Sequence, residues 1–380
     1  MLFSLLYPLR TSFGPLRLFN YISFRAAGAA VTALLVAFVL GPMIIRWLER
    51  MQIHQPVRQG TPETHQSKAR AATMGGFIVL AATIVPTLLW MRFDNTYVWL
   101  VLGVTCWMGA IGFLDDYLKL KQKREGKENL GLVERYKLAG QVTCGLLLGL
   151  YLWKVPLNSL PGASTTLPFA KGVLVVPATI GMAWLYVPFV TFVMTATSNA
   201  VNLADGLDGL ATGLMAIAIA AFAIFAYAMG RTDTSAYLGL FYLRGAGELT
   251  VFCTAVLGAS LGFLWFNAHP ARVIMGDTGA LALGGALGAV AVLLKSEFLV
   301  VFIGGVFVAE TTSVLIQRTV FKYRKRRYGL EYAKANRIFL LAPLHHHFEK
   351  KGWTETQVVV RFWILGVLCA LIAFATLKLR

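Results

Sequence analysis

Charge is what this chain has least of. Asp, Glu, Lys and Arg make up 14% of its 380 residues, while 57% are hydrophobic. Mean hydropathy is +0.65. Soluble globular chains carry about a quarter charged residues, so this balance excludes an ordinary soluble domain. Acid is scarcer than base, with 18 Asp and Glu against 35 Lys and Arg. The four cysteines (Cys106, Cys144, Cys253, Cys369) all fall inside apolar runs, and none has metal-ligand spacing. They read as small buried hydrophobes, which excludes a disulfide scaffold and a thiolate metal centre. No internal repeat is evident, which argues against an inverted-repeat transporter.

What is present is a series of apolar runs: 24–47, 74–92, 97–114, 138–154, 173–198, 207–229, 249–266, 279–294, 298–320 and 358–378. At 1.5 Å per residue each spans, or nearly spans, about 30 Å of hydrocarbon. They are too long and too continuously apolar for barrel strands. The expected fold is an all-α polytopic membrane protein of about ten transmembrane helices. Residues 24–380 form a single transmembrane catalytic domain, after an interfacial N-terminal segment over 1–23 with Arg10 and Arg17 at the headgroups.

Basic residues orient these spans. The loops 48–73, 115–137, 199–206, 267–278 and 321–357 carry 21 of the 35 Lys and Arg, against 11 on the side of the termini. Those loops are expected in the cytoplasm and both termini outside. The net charge of +17 follows mainly from this rule and from attraction to an anionic lipid bilayer. Nucleic acid is not expected as a partner, because the basic residues are divided among loops between spans.

Against this background the placement of carboxylates and histidines is informative. Asp115-Asp116 follows the third run, Asp205 and Asp208 the fifth, Asp277 the seventh, and His345-His346-His347 the ninth. All lie at span ends on the expected cytoplasmic face; Glu310, in mid-run, is the main exception. Ionisable groups at membrane depth are costly and point to function. Five carboxylates and three histidines on one face suggest a metal-dependent site for a membrane-bound substrate.

Each motif has its own chemistry. Adjacent Asp115 and Asp116 repel unless a cation is near, and Lys119 lies one helical turn on. In Asn199–Gly209 polar residues recur every third position, and Gly206 and Gly209 would let a ligand approach the backbone. In Asn267–Gly279, Asp277 precedes an apolar helix, where a plain N-cap role is physically sufficient; a helix N-terminus also suits phosphate oxygens. In Pro343–Trp353, three consecutive histidines cannot all face one way on a helix. Zinc spacing is absent, and oxygen-rich surroundings favour Mg²⁺.

Together, Phe113–Tyr117, Asn202–Gly209, Met275–Gly279 and Leu344–Trp353 resemble the phospho-N-acetylmuramoyl-pentapeptide transferase family, over about residues 46–380. The first three motifs also occur in the wider polyprenyl-phosphate sugar-1-phosphate transferase superfamily. The histidines followed by Lys351-Gly352-Trp353 point to the muramoyl-pentapeptide branch.

The resemblance implies a cytoplasmic-face cleft in a bacterial inner membrane. It implies UDP-MurNAc-pentapeptide and undecaprenyl phosphate as substrates, lipid I and UMP as products, and Mg²⁺ as cofactor; it admits a homodimer. Asp277 matches the metal-binding aspartate, and Asp115 and Asp116 match the paired aspartates, one of them the base or nucleophile and both further candidate ligands. Asn202, Asp205 and Asp208 match the nucleotide and metal region. Lys68, Thr73, Lys119, Lys137, Asn267, Gln317 and His345–His347 match other substrate-site positions. One departure is plain: Arg70-Ala71-Ala72 stands where the family reads Gly-Thr-Pro. The alternatives are the same chemistry on a UDP-N-acetylhexosamine, an ion-coupled transporter and a non-catalytic lipid-binding scaffold.

Overall fold

The computed structural model describes residues 1–51, 72–125, 131–157, 160–169, 173–175 and 182–377. Lys68, Arg70 and Ala71 lie outside the described residues. A short helix α1 (Leu2–Leu6) and two 3-10 turns (Tyr7–Thr11, Gly14–Asn20) precede the long helix α2 (Ile22–Arg50). There follow α3 (Gly76–Trp90), α4 (Thr96–Arg124), α5 (Glu134–Lys154), strands β1 (Ser164–Thr166) and β2 (Val173–Val175), α6 (Tyr186–Ala204), α7 (Leu210–Met229), α8 (Thr232–Leu238) and α9 (Glu248–Asn267). The last elements are α10 (Gly276–Leu293), α11 (Leu299–Ile303), α12 (Gly305–Tyr328), α13 (Leu330–Ala335), α14 (Leu344–Lys350) and α15 (Glu355–Ala375).

Every apolar run carries a helix. Among the described residues, seven helices are long and apolar enough to cross a membrane: α2, α4, α6, α7, α9, α10 and α15, with α6 counted from Ala183 and α4 to Lys123. Helix α3 is shorter, at 15 residues. Two runs differ from expectation. The fifth does not begin as a helix, because Val173–Val175 pairs antiparallel with Ser164–Thr166, Leu174 opposite Thr165. A short apolar, β-branched run does not distinguish a strand from a buried helix by periodicity. The ninth run breaks at Gly304, between α11 and α12, and its helix then continues to Tyr328.

Helix α10 is the axis of the bundle. Every residue from Thr278 to Leu293 is buried, and α3, α4, α6 and α7 surround it. Small residues allow this, as in membrane helix pairs generally. A Cβ on Gly76 would lie 2.2 Å from the Gly279 nitrogen, and one on Gly112 would lie 2.2 Å from the Asp277 carbonyl oxygen. Helices α3 and α4 therefore touch the first turn of α10 backbone to backbone. In contrast, α2 and α15 expose Leu35, Val39, Leu368, Leu371 and Ile372. Helices that are apolar outside as well as inside belong in a membrane.

The N-terminal ends of α3, α5, α7, α10 and α15 meet the C-terminal ends of α4, α6 and α9 at one end of the bundle, here the site end, and α12 joins them through Glu310 in its second turn. At the far end, Arg25 and Glu248 join the starts of α2 and α9, with Oε2 at 2.6 Å and Oε1 at 2.5 Å from the guanidinium. The N-terminal amine also reaches the far end, donating to the Leu88 carbonyl at 3.0 Å.

Candidate active site

Three aspartates meet at the site end, where α4 crosses the start of α10. Carboxylate oxygens of Asp115, Asp116 and Asp277 all lie within 4.8 Å of one another. The two adjacent aspartates do different work. Asp116 Oδ2 accepts from the Thr278 amide (2.9 Å) and hydroxyl (2.7 Å), and Oδ1 accepts from the Asp277 amide (3.2 Å). Asp116 thus caps α10 from another helix and satisfies its first free N–H groups. Gly276 makes room for it at a φ of +71°; a Cβ there would lie 2.9 Å from Asp116 Oδ2.

The N-cap reading of Asp277 is therefore corrected. Asp277 is inside the first turn of α10, and Met275 holds the cap position. Its carboxylate is free to face the site: Oδ2 accepts from Lys137 Nζ at 2.5 Å and from Lys119 Nζ at 3.1 Å. With its amide oriented to satisfy both ends, Asn202 donates to Asp277 Oδ1 at 3.1 Å and accepts from Lys137 Nζ at 3.1 Å. Asp115 Oδ1 accepts from the Leu132 amide at 2.8 Å, while Oδ2 lies 2.5 Å from Lys119 Nζ. Lys119 also lies 3.9 Å from Asp116 Oδ1, so a cation already sits where the three carboxylates converge.

This donor set fits Mg²⁺. All three groups are carboxylates, the ligand class that hard divalent cations select. Three carboxylates face two ammoniums, which leaves negative charge for a further cation. Asp277 and Asp115 have oxygens directed at the lysines, and Asp116 is committed largely to α10.

Asp208 joins a different group. Its Oδ2 accepts from the Ala271 amide at 3.1 Å and lies 3.2 Å from His269 Nδ1. Its amide donates to Glu355 Oε1 at 2.8 Å, and His269 Nδ1 lies 3.6 Å from Glu355 Oε2. Asp205 ends α6 and is partly exposed. Asn267 is used as a staple: Oδ1 accepts from the Gly209 amide (3.2 Å) and the Thr212 hydroxyl (2.9 Å), and Nδ2 donates to the Val273 carbonyl (2.9 Å). It ties the 205–209 turn, where Gly209 adopts a φ of +78°, to the Asp277 loop. Gln317 similarly binds the Phe339 backbone on both sides, at 3.3 and 3.0 Å. Thr73 follows Ala72, which bridges to Val273, so this stretch before α3 runs beside the Asp277 motif.

The three histidines diverge. His345 is buried, with Nδ1 3.2 Å from Glu310 Oε2. His346 Nδ1 lies 2.7 Å from Glu349 Oε2. His347 Nδ1 accepts from the Leu340 amide at 3.1 Å. Burial and the Lys351 ammonium push the His347 imidazole below its usual range, which favours its neutral form.

Sequence reasoning missed Thr278, Glu355 and the partner of Glu310. Glu355 opens α15 beside the Thr354–Gln357 capping box, which marks a helix start and nothing about the site. Glu310 was visible as a carboxylate in mid-span, but what it faces was not.

The fold and site define the class of a polytopic membrane protein with carboxylates and lysines gathered at one end of its helix bundle. Residues 98–295 match the protein-family model of glycosyl transferase family 4. The phospho-N-acetylmuramoyl-pentapeptide-transferase of Gemmatimonas aurantiaca is 68% identical over the whole of both chains. Those of Chloroherpeton thalassium and Desulfotalea psychrophila are 48% and 47% identical, again over the whole of both chains. The chain belongs to the phospho-N-acetylmuramoyl-pentapeptide-transferase family.

Proposed function

We propose that this enzyme transfers phospho-MurNAc-pentapeptide from UDP-MurNAc-pentapeptide to undecaprenyl phosphate, giving lipid I and UMP, on the cytoplasmic face of a bacterial inner membrane. The observation that carries this is the convergence of Asp115, Asp116 and Asp277 with Lys119 and Lys137 at one end of the bundle. Family membership selects the substrates, and the basic loops favour that end as cytoplasmic, with both termini outside.

In this reading a lipid phosphate oxygen attacks the sugar-bearing phosphorus. The anhydride P–O bond to UMP breaks, and its electron pair leaves with UMP. One phosphoanhydride replaces another, so little net energy is needed. Asp277 and Asp115 would hold Mg²⁺, with Asp116 beside them. When bound, the metal supplies charge neutralisation for the departing UMP.

The chain's own residues supply the rest. Lys119 and Lys137 keep the carboxylates paired until substrate enters, and Lys137 with Asn202 fixes the Asp277 carboxylate. Asp116 fixes the start of α10 and so holds the Asp277 carboxylate facing the site. Confinement of the lipid phosphate and the aspartates to one plane provides positioning, a large catalytic effect.

The test is UMP release by purified protein given undecaprenyl phosphate, Mg²⁺ and either UDP-MurNAc-pentapeptide or UDP-GlcNAc. Release with the first and little with the second is expected. Equal release would refute the muramoyl-pentapeptide assignment.

A further inference from the structure

Glu310 has no role in the reading above, yet no carboxylate among the described residues is less exposed. It lies in the second turn of α12 with no exposed surface. A buried carboxylate is tolerated only when paired and hydrogen-bonded. Both oxygens go to one residue: Oε1 accepts from the His345 amide at 3.2 Å, and Oε2 lies 3.2 Å from His345 Nδ1.

The other end of that ring is what needs explaining. His345 is 1% exposed; Nδ1 meets Glu310 Oε2 as a charge contact without hydrogen-bond geometry, and Nε2 has no hydrogen-bond partner. An unsatisfied buried polar atom costs about 1–3 kcal/mol and calls for a reason. Nε2 abuts the turn after α6, close enough that a Cβ on Gly206 would lie 2.4 Å from it. His346 and His347 differ, being partly exposed. A histidine serving only to pin α14 to α12 would need its Nδ1 edge alone, and would not leave Nε2 buried and bare against the Asp205–Gly209 turn.

We propose that Glu310 is a positioning residue for the transfer reaction: it holds the His345 ring so that Nε2 faces the Asp205–Gly209 turn and bonds an oxygen of the nucleotide-sugar donor there. The proposal rests on the transferase reading. Glu310 touches no substrate; it acts through His345.

The experiment compares wild type, Glu310→Gln, His345→Ala and the double variant for kcat, donor KM and melting temperature. Glu310→Gln keeps the shape and removes the charge. We expect kcat and kcat/KM to fall together by about 10- to 100-fold, and no further loss when Glu310→Gln is added to His345→Ala. Wild-type kcat in Glu310→Gln, or losses that multiply in the double variant, would overturn the proposal. Where Glu310→Gln does not fold, Gly206→Ala moves the ring from its other side, and the same kcat loss is expected; wild-type kcat there overturns it.

Absence of UMP release by wild type would instead refute the transferase reading. The pairing is then read from the ¹⁵N shifts of the His345 ring, assigned with His345→Gln. Glu310→Gln must move the Nδ1 signal, and an unmoved signal overturns the pairing.

Discussion

At the far end of the bundle Arg25 and Glu248 meet through two short hydrogen bonds, their side chains 2% and 6% exposed. Glu248 Oε2 also accepts from the Arg92 amide at 3.2 Å. Past the C-terminal end of α10, Lys295 donates to the Gly162 carbonyl at 2.6 Å and the Tyr186 hydroxyl at 3.1 Å, and Glu297 is bonded by Tyr186 (2.7 Å) and Thr165. These charges balance one against one and are sealed. At the site end, three carboxylates share two ammoniums, and Lys119 is 40% exposed. Both ends put ionisable residues at membrane depth, so depth alone does not identify a site. Unmatched charge with access to solvent does.

The sharpest break of this comparison comes from removing site-end charge. Asp277→Asn and Asp115→Asn should each lower the rate of UMP release by at least about 10²–10³, the loss typical of one transition-state-stabilising group. Melting temperature in detergent should change little, because Asp116 rather than Asp277 caps α10. A near-normal rate in Asp277→Asn would remove it from the site.

Far-end charge should behave in the opposite way. Glu248→Gln leaves Arg25 buried without its counter-charge, a change that costs about 3–5 kcal/mol. The melting temperature should fall clearly, while kcat per folded molecule holds. Loss of kcat without loss of stability would show that the far end is coupled to the chemistry.

A smaller effect is expected at Lys295. Burial pushes its ammonium down to about 8, against the opposing pull of Glu297. The unfolded chain keeps that proton up to 10.5. Between these pH values the unfolded state binds more protons than the folded state, so stability rises with pH across the window and levels off above it. The gain is on the order of 3 kcal/mol. Melting temperature should climb over that range in wild type and less in Lys295→Met; parallel curves would refute a buried, depressed Lys295.

Much of this was legible in the sequence. Runs of apolar residues predict the helices, because hydrocarbon leaves a backbone few other options. Lys119 beside Asp115 and Asp116 follows from helical spacing, and the divergence of the three histidines from their adjacency. What was not legible depends on which helices touch. Asp116 caps a helix 161 residues away, and Glu310 and His345 are 35 apart. Nothing local separates Asp208, which joins His269 and Glu355, from the three aspartates that form the other group. Val173–Val175 misleads because a strand and a buried helix can share its composition.

The unmatched carboxylates at the site end are the proposed seat of a divalent cation. Equilibrium binding of Mn²⁺ to the purified protein, followed by its paramagnetic signal and competed with Mg²⁺, tests it without reference to turnover. A site in wild type that Mg²⁺ displaces and that Asp277→Asn loses is expected. Binding of equal strength in wild type and Asp277→Asn would contradict it.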